Sequence, residues 1–201
     1  MNQIITIGRE FGSGGRELGK RLSDLLGYAY YDKEIVNEIA RRTQLAETYV
    51  QNVIEQKSNL FFPITIGRTL HPTATVNDLV NTVYTEQANV LREMAEKSSC
   101  IIVGRCADYI LRDLKPLRLF VYADMDAKIE RCRQKAEESE GMSDRELEKK
   151  IRRIDKGRAH YYRYYTGLEW GDHANYDLCI NTSSVSVKEC AGMLAEMLKS
   201  R

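Results

Sequence analysis

Gln3-Ile4-Ile5-Thr6-Ile7-Gly8, then Arg9-Glu10-Phe11-Gly12-Ser13-Gly14-Gly15-Arg16-Glu17-Leu18-Gly19-Lys20, then Arg21-Leu22-Ser23-Asp24-Leu25-Leu26-Gly27, is the stretch on which the fold turns. The first block is a short apolar run rich in β-branched residues and reads as a buried strand. Leu18, Leu22, Leu25 and Leu26 recur at helical spacing. Gly8, Gly12, Gly14 and Gly15 fall between strand and helix. Strand, glycine turn, helix is the context in which backbone N–H groups converge on a phosphate. Glycine suits such a turn because a side chain would block the approach and some positions require φ > 0. The helix N-terminus adds roughly half a positive charge. The alternative is a glycine-rich turn that binds nothing.

By context this is a P-loop, but it departs from the string G-x-x-x-x-G-K-[ST]. With Gly14 as the second glycine, Gly15 stands at the lysine position and Arg16 at the hydroxyl position. Arg9 stands at the first-glycine position, with Gly8 one residue early. The lysine that reaches the β- and γ-phosphates is therefore missing, as is the Mg2+-binding hydroxyl. Arg16 is the candidate replacement cation, and Ser13 is the loop's hydroxyl.

The remaining chain bounds the class. Its 201 residues and 23.1 kDa suit one domain spanning 1–201. Lys and Arg number 30 against 29 for Asp and Glu, a net charge of +1, so no global field calls for nucleic acid or an anionic membrane. No apolar run approaches the length of a membrane span, and Met1-Asn2-Gln3 enters a strand without a charged leader, so a cytoplasmic location is expected. Cys100, Cys106, Cys132, Cys179 and Cys190 lack paired spacing and read as reduced thiols. His71, His160 and His173 are too dispersed for a metal cluster.

Beyond the first helix, strands are expected at Tyr28–Tyr31, Ser99–Gly104, Leu117–Ala123 and Tyr176–Asn181. Helices are expected at Lys33–Arg42, Ala46–Lys57, Val76–Lys97, Ala107–Leu111, Ala127–Glu138, Asp144–Tyr165 and Val185–Leu198. Ser58–Thr75, with Pro63, Pro72 and the exposed-looking Phe61 and Phe62, is the least regular part. Strands alternating with helices imply an α/β fold with a five-stranded parallel sheet covered on both faces. Ligands of such sheets sit beyond the carboxyl ends of the strands. That rule gathers the glycine loop, Asp32, Gly104-Arg105 and Asp124 at one crevice.

Several of these residues suit phosphate chemistry. Arg105, directly after a buried strand and a glycine, can fork onto a phosphate; an ion pair with a helix carboxylate is the alternative. Asp32 either faces the crevice or simply caps the following helix. Arg131 and Lys135 share a helix face, Arg133 lies beside them, and solvated surface charge is the plain reading of all three. The run Lys149–Tyr165 mixes cations with four tyrosines. Stacking on nucleic acid would use such a mixture, but the acidic helix before it cancels the charge. A cluster closing over a polyphosphate fits better, because phosphoryl transfer depends on cations placed around the moving group.

Together these residues resemble the cytidylate kinase-like family of nucleoside monophosphate kinases. Ile4–Lys20 looks like that family's variant P-loop, Tyr30–Ile35 its second-strand signature, and Ile101–Arg105 its Gly-Arg pair for the monophosphate. Asp155-x-x-Arg158 is similar to a lid motif that contacts the cytidine nucleotide. Tyr161–Gly167, Trp170-Gly171-Asp172 and Asn175–Leu178 look like the C-terminal signature. The resemblance implies a three-layer P-loop kinase fold with an acceptor-binding helical region over 33–98 and a helical lid over 126–166. It implies ATP-dependent phosphoryl transfer to a nucleoside monophosphate, CMP or dCMP, with Mg2+ arriving on ATP. Gly12, Ser13, Gly14, Gly15, Arg16 and Glu17 would hold the donor. Asp32, Lys33, Arg105, Asp155 and Arg158 would hold the acceptor, with Asp155 receiving the cytosine amine. Arg16, Arg131 and Arg133 would stabilise the transferring group. The chain departs from true cytidylate kinases at Gly15, Glu17 and Lys33, where those have lysine, threonine and serine. A non-catalytic nucleotide-binding module and a kinase for a non-nucleotide acceptor stay open. The partner is a small molecule, without nucleic acid or membrane.

Overall fold

The computed structural model describes residues 2–55, 73–135 and 141–200. Strand β1 is Ile4–Arg9, β2 is Ala29–Tyr31, β3 is Cys100–Val103, β4 is Leu117–Tyr122 and β5 is Leu178–Asn181. They pair in parallel in the order β2-β3-β1-β4-β5, with Ile5 opposite both Ile101 and Leu117. The helices are α1 (Gly15–Leu26), α2 (Lys33–Thr43), α3 (Glu47–Glu55), α4 (Thr73–Lys97), α5 (Ala107–Ile110), α6 (Met125–Gln134), α7 (Asp144–Thr166) and α8 (Val187–Lys199).

Side-chain alternation splits the sheet into two faces. Ile5, Ile7, Ile101, Leu119 and Val121 pack with Leu18 and Leu22 of α1 and with Ala191, Leu194 and Leu198 of α8. Ile4, Cys100 and Ile102 point the other way, into a core with Ile35 and Ile39 of α2, Val90 and Leu91 of α4, and Tyr161 and Tyr162 of α7. Each fully buried Leu or Ile contributes about 1.5–3 kcal/mol, so both layers are held by hydrophobic burial. This three-layer arrangement is the P-loop kinase fold. It brings the carboxyl ends of β1, β3 and β4 to one edge.

Most expected elements are present with ends shifted by one to three residues. β5 begins at Leu178 rather than Tyr176, because the Tyr176 N–H closes the preceding turn on His173 O at 3.2 Å; Asp177 already bonds β4, its N–H donating to Arg118 O at 2.8 Å and its carboxylate accepting from Arg118 N at 2.8 Å. Helix α8 begins at Val187 rather than Val185, because Ser186 and Glu189 form a reciprocal capping box. Phe61, Phe62, Pro63, His71 and Pro72, with the rest of 58–72, lie outside the described residues, as does the expected end of the helix after β4 at 136–138.

Candidate functional site

The loop after β1 is shaped by glycine. Gly14 sits at the N-cap of α1 with φ 82°, and its side-chain-free backbone passes Val187 so closely that a Cβ would lie 2.6 Å from Val187 Cγ2. Helices α7 and α8 close their N-termini with capping boxes, but α1 has no side-chain cap. The N–H of Leu18 donates to Gly14 O at 2.9 Å. The donors of Gly15, Arg16 and Glu17 precede it, where no helix carbonyl is in reach. Beside this first turn is a cavity of about 50 Å³, lined by Gly12, Gly14, Gly15 and Arg16 together with Arg9, Arg131, Lys135 and Arg158.

Ser13 is fully buried and structural. Its Oγ donates to Glu10 O at 2.9 Å, and its carbonyl accepts from Thr182 Oγ1 at 2.7 Å. Arg131 donates to Gly12 O at 3.2 Å and to Thr182 O, so α6 turns its Arg131–Lys135 face to the loop. Arg133 points away and pairs with Asp144 Oδ1 at 2.8 Å on the surface. Glu17 pairs with Arg21 at 2.8 Å along α1.

A second cavity of about 40 Å³ lies on the far side of Arg9 and Arg158, which line both spaces. Its walls are Gly104 and Arg105 from the turn after β3, Asp108 of α5, and the rings of Tyr161, Tyr162, Trp170 and Tyr176. Gly104, Arg105 and Cys106 are successive left-handed residues, φ 75°, 62° and 51°. For the two non-glycine residues that conformation costs roughly 1–2 kcal/mol each. Buried Gln87 of α4 holds the turn, donating to Arg105 O at 2.9 Å, while Tyr161 OH donates to Gln87 Oε1 at 3.3 Å. Burial raises the Asp108 pKa, against the opposing hydrogen bond from Tyr162 OH at 2.6 Å. Of the four tyrosines in the cationic run, Tyr161 and Tyr162 are buried and Tyr165 stacks on Tyr84 at 3.8 Å.

Around Arg9 the charge is lopsided. Among the described residues Arg16, Arg105 and Arg158 act on it and Asp32 opposes them; burial first, then Arg158 and Arg105, hold its pKa well below the ordinary arginine value. Asp32 occupies the N-cap of α2 but makes no capping hydrogen bond, which corrects the capping alternative. Its carboxylate lies 2.7 Å from Arg16 Nε and 3.9 Å from Arg9 Nη2. It is drawn to the arginines because a buried carboxylate needs a cation. Lys33 is exposed and lines neither cavity.

Asp155 also looks inward. Its Oδ1 accepts the Phe11 N–H at 2.7 Å and lies 3.7 Å from Arg158 Nη1, and its Oδ2 lies 3.4 Å from Lys128 Nζ. Lys128, almost wholly buried on α6, also reaches Glu10 at 2.6 Å. Asp155 lines neither cavity, whereas Arg158 lines both and donates to Arg9 O at 3.2 Å. Sequence reasoning missed Arg9, Gln87 and Lys128. For Arg9 the signal existed: a cation directly after a glycine at the end of an apolar strand, the pattern that singled out Arg105.

The cradle fits a phosphate chain: glycines open its floor, and the Nε of buried Arg9 has no hydrogen-bond partner. Among the described residues no group of three His, Cys, Asp or Glu side chains is placed to hold a metal. Ser13 is committed as above, and Asp32 faces Arg16 with Oδ2 while its Oδ1 has no hydrogen-bond partner, so a Mg2+ would be held by phosphate and water with Asp32 Oδ1 open to it. All five cysteines are free thiols, and no described helix is long and apolar enough to cross a membrane.

The fold and the glycine loop make this a protein of the P-loop kinase class. The chain belongs to the cytidylate kinase-like family, whose pattern matches residues 4–184. It is similar to a cytidylate kinase from Methanopyrus kandleri, 23% identical over 201 residues, covering 95% of this chain and 90% of that protein. Among solved structures it is similar to an uncharacterized protein from Eubacterium ventriosum, with TM-score 0.72, 28% identity and complete coverage of both chains. A shikimate kinase from Bacteroides thetaiotaomicron matches with TM-score 0.57 and 17% identity over 98% of each chain, a likeness of fold.

Proposed function

We propose that the protein transfers the terminal phosphoryl group of ATP to a nucleoside monophosphate, CMP or dCMP. The observation that carries this reading is the pair of cavities sharing Arg9 and Arg158, one against the glycine loop and one against Arg105 and a wall of aromatic rings. The donor's phosphates take the loop N–H groups and Arg131. The acceptor's phosphate takes Arg105, and its base lies toward the half-buried ring of Trp170. An acceptor phosphate oxygen forms the new bond to phosphorus. The bond to the bridging oxygen breaks, and its electron pair leaves on ADP. The chain contributes position and positive charge. Mg2+ bound to ATP adds charge neutralisation. Family membership supports the nucleotide acceptor.

The test is turnover of ATP against nucleoside monophosphates and small alcohols. Efficient phosphorylation of CMP or dCMP is expected; turnover of none of the nucleotides removes the reading. A kinase for a non-nucleotide acceptor is the second reading, favoured by Asp155, whose carboxylate serves the loop instead of the acceptor cavity.

A further inference from the structure

Arg9 and Gly15 compete for one space. A Cβ on Gly15 would lie 2.5 Å from Arg9 Cβ and 3.1 Å from its Cγ. Real Cβ atoms do not approach that closely, so any side chain at the lysine position of this loop must displace Arg9. At the other end of the same side chain, a Cβ on Gly104 would overlap Arg9 Nη1 and lie 2.8 Å from Cζ. Arg9 therefore runs from the donor loop to the acceptor turn through two gaps that glycine leaves open. Its side chain is 9% exposed, its Nε is unpartnered, and among the described residues the carboxylate that faces it, Asp32, sits 3.9 Å away and is shared with Arg16.

A buried cation with too little counter-charge is costly unless an anion completes it. Because both cavities meet at this side chain, the anion it suits is the one lying between them. We propose that Arg9 replaces the missing loop lysine, gripping the terminal phosphoryl group of the nucleoside triphosphate where it faces the acceptor, and that Gly15 is the complement of this exchange. The proposal deepens the kinase reading and rests on it for the identity of the donor. Arg16, with its Nε held by Asp32 at the mouth, acts on the phosphate chain from outside.

A cation on the terminal phosphate distinguishes ATP from ADP, whereas a merely structural residue does not. Calorimetric titration of the full chain with Mg·ATP and with Mg·ADP reads this directly, without turnover. Arg9→Gln is expected to weaken ATP at least tenfold and ADP less than threefold, and Arg9→Lys to recover part of the loss. Gly15→Lys alone is expected to weaken ATP, because the new side chain and Arg9 collide. Arg9→Ala combined with Gly15→Lys, which moves the cation to the conventional position, is expected to bind ATP better than Arg9→Gln. Circular dichroism establishes that each variant is folded; should Arg9→Gln not fold, Arg9→Lys against the double variant decides. Equal weakening of ATP and ADP, unchanged ATP binding, or a double variant no better than Arg9→Gln overturns the proposal. If the wild type binds ATP and the Arg9 pattern holds but no acceptor is phosphorylated, the kinase reading fails while the role of Arg9 in binding stands. If the wild type binds neither nucleotide, both fall.

Discussion

Asp155 and Phe11, 144 residues apart in the chain, are joined by a 2.7 Å hydrogen bond from the Phe11 N–H to the Asp155 carboxylate. With the bond from Arg158 to Arg9 O at 3.2 Å, it ties α7 to the loop that follows β1. The long helix is thus part of the loop's support, with Leu147 and Ile151 buried against Cys132 of α6. Asp155→Ala removes an acceptor from a partly buried N–H and a counter-charge from Lys128, and is expected to cost about 2–3 kcal/mol in urea denaturation. Asp155→Asn keeps an acceptor oxygen and is expected to cost less.

The same carboxyl makes stability depend on pH. Burial raises the Asp155 pKa above the ordinary aspartate value, opposed by the Phe11 N–H, Lys128 and Arg158. A folded-state pKa above the unfolded one means that the folded protein takes up the proton first as pH falls. The group's unfavourable contribution is then full above its folded pKa and absent below its unfolded pKa. Lys128→Met deletes one opposing charge and raises the pKa further. Its expected deficit of about 3 kcal/mol at pH 7 should narrow as pH falls through the raised Asp155 pKa toward 4. Paired urea titrations at pH 7 and pH 4.5 measure this; a constant deficit would count against it.

Gly14 is constrained twice, by φ 82° and by the 2.6 Å approach of Val187 Cγ2. Gly14→Ala is expected to lose about 2–3 kcal/mol, from left-handed strain and overpacking together. In a double-mutant cycle with Val187→Ala the steric part should be relieved, leaving a coupling of about 1 kcal/mol. Strictly additive losses would mean that strain alone accounts for the glycine.

On the proposed reading, Gln87 would position Arg105 rather than touch the acceptor. Its amide donates to Arg105 O, the carbonyl of a left-handed residue that would otherwise relax. Gln87→Leu is expected to raise KM for the acceptor at least fivefold and KM for ATP less than twofold. Equal changes in both would indicate general loosening of the fold.

Arg16 and Lys20 lie one turn apart on α1. Lys20 is exposed and paired with Asp24, whereas Arg16 lines the loop cavity and holds Asp32. Arg16→Ala is expected to weaken ATP binding about tenfold, roughly 1.4 kcal/mol, and Lys20→Ala less than twofold. Matching losses would reduce Arg16 to diffuse positive charge.

By itself the sequence determined the order of strands and helices, because hydrophobic periodicity and glycine placement are local. It also determined that Gly12, Gly14, Gly15 and Arg105 fall in the connections that follow strands, where a parallel sheet gathers its ligands. Only the tertiary structure decided what the polar side chains do there. Asp32 reads equally as a cap or a site residue until Arg16 comes within 2.7 Å of it. Asp155 reads as an acceptor ligand until the loop N–H of Phe11 claims it. The loss of lysine at Gly15 reads as a defect until Arg9 is found in the space a Cβ would need. Burial, pairing and steric exclusion join residues far apart in the chain, and sequence spacing holds no record of those distances.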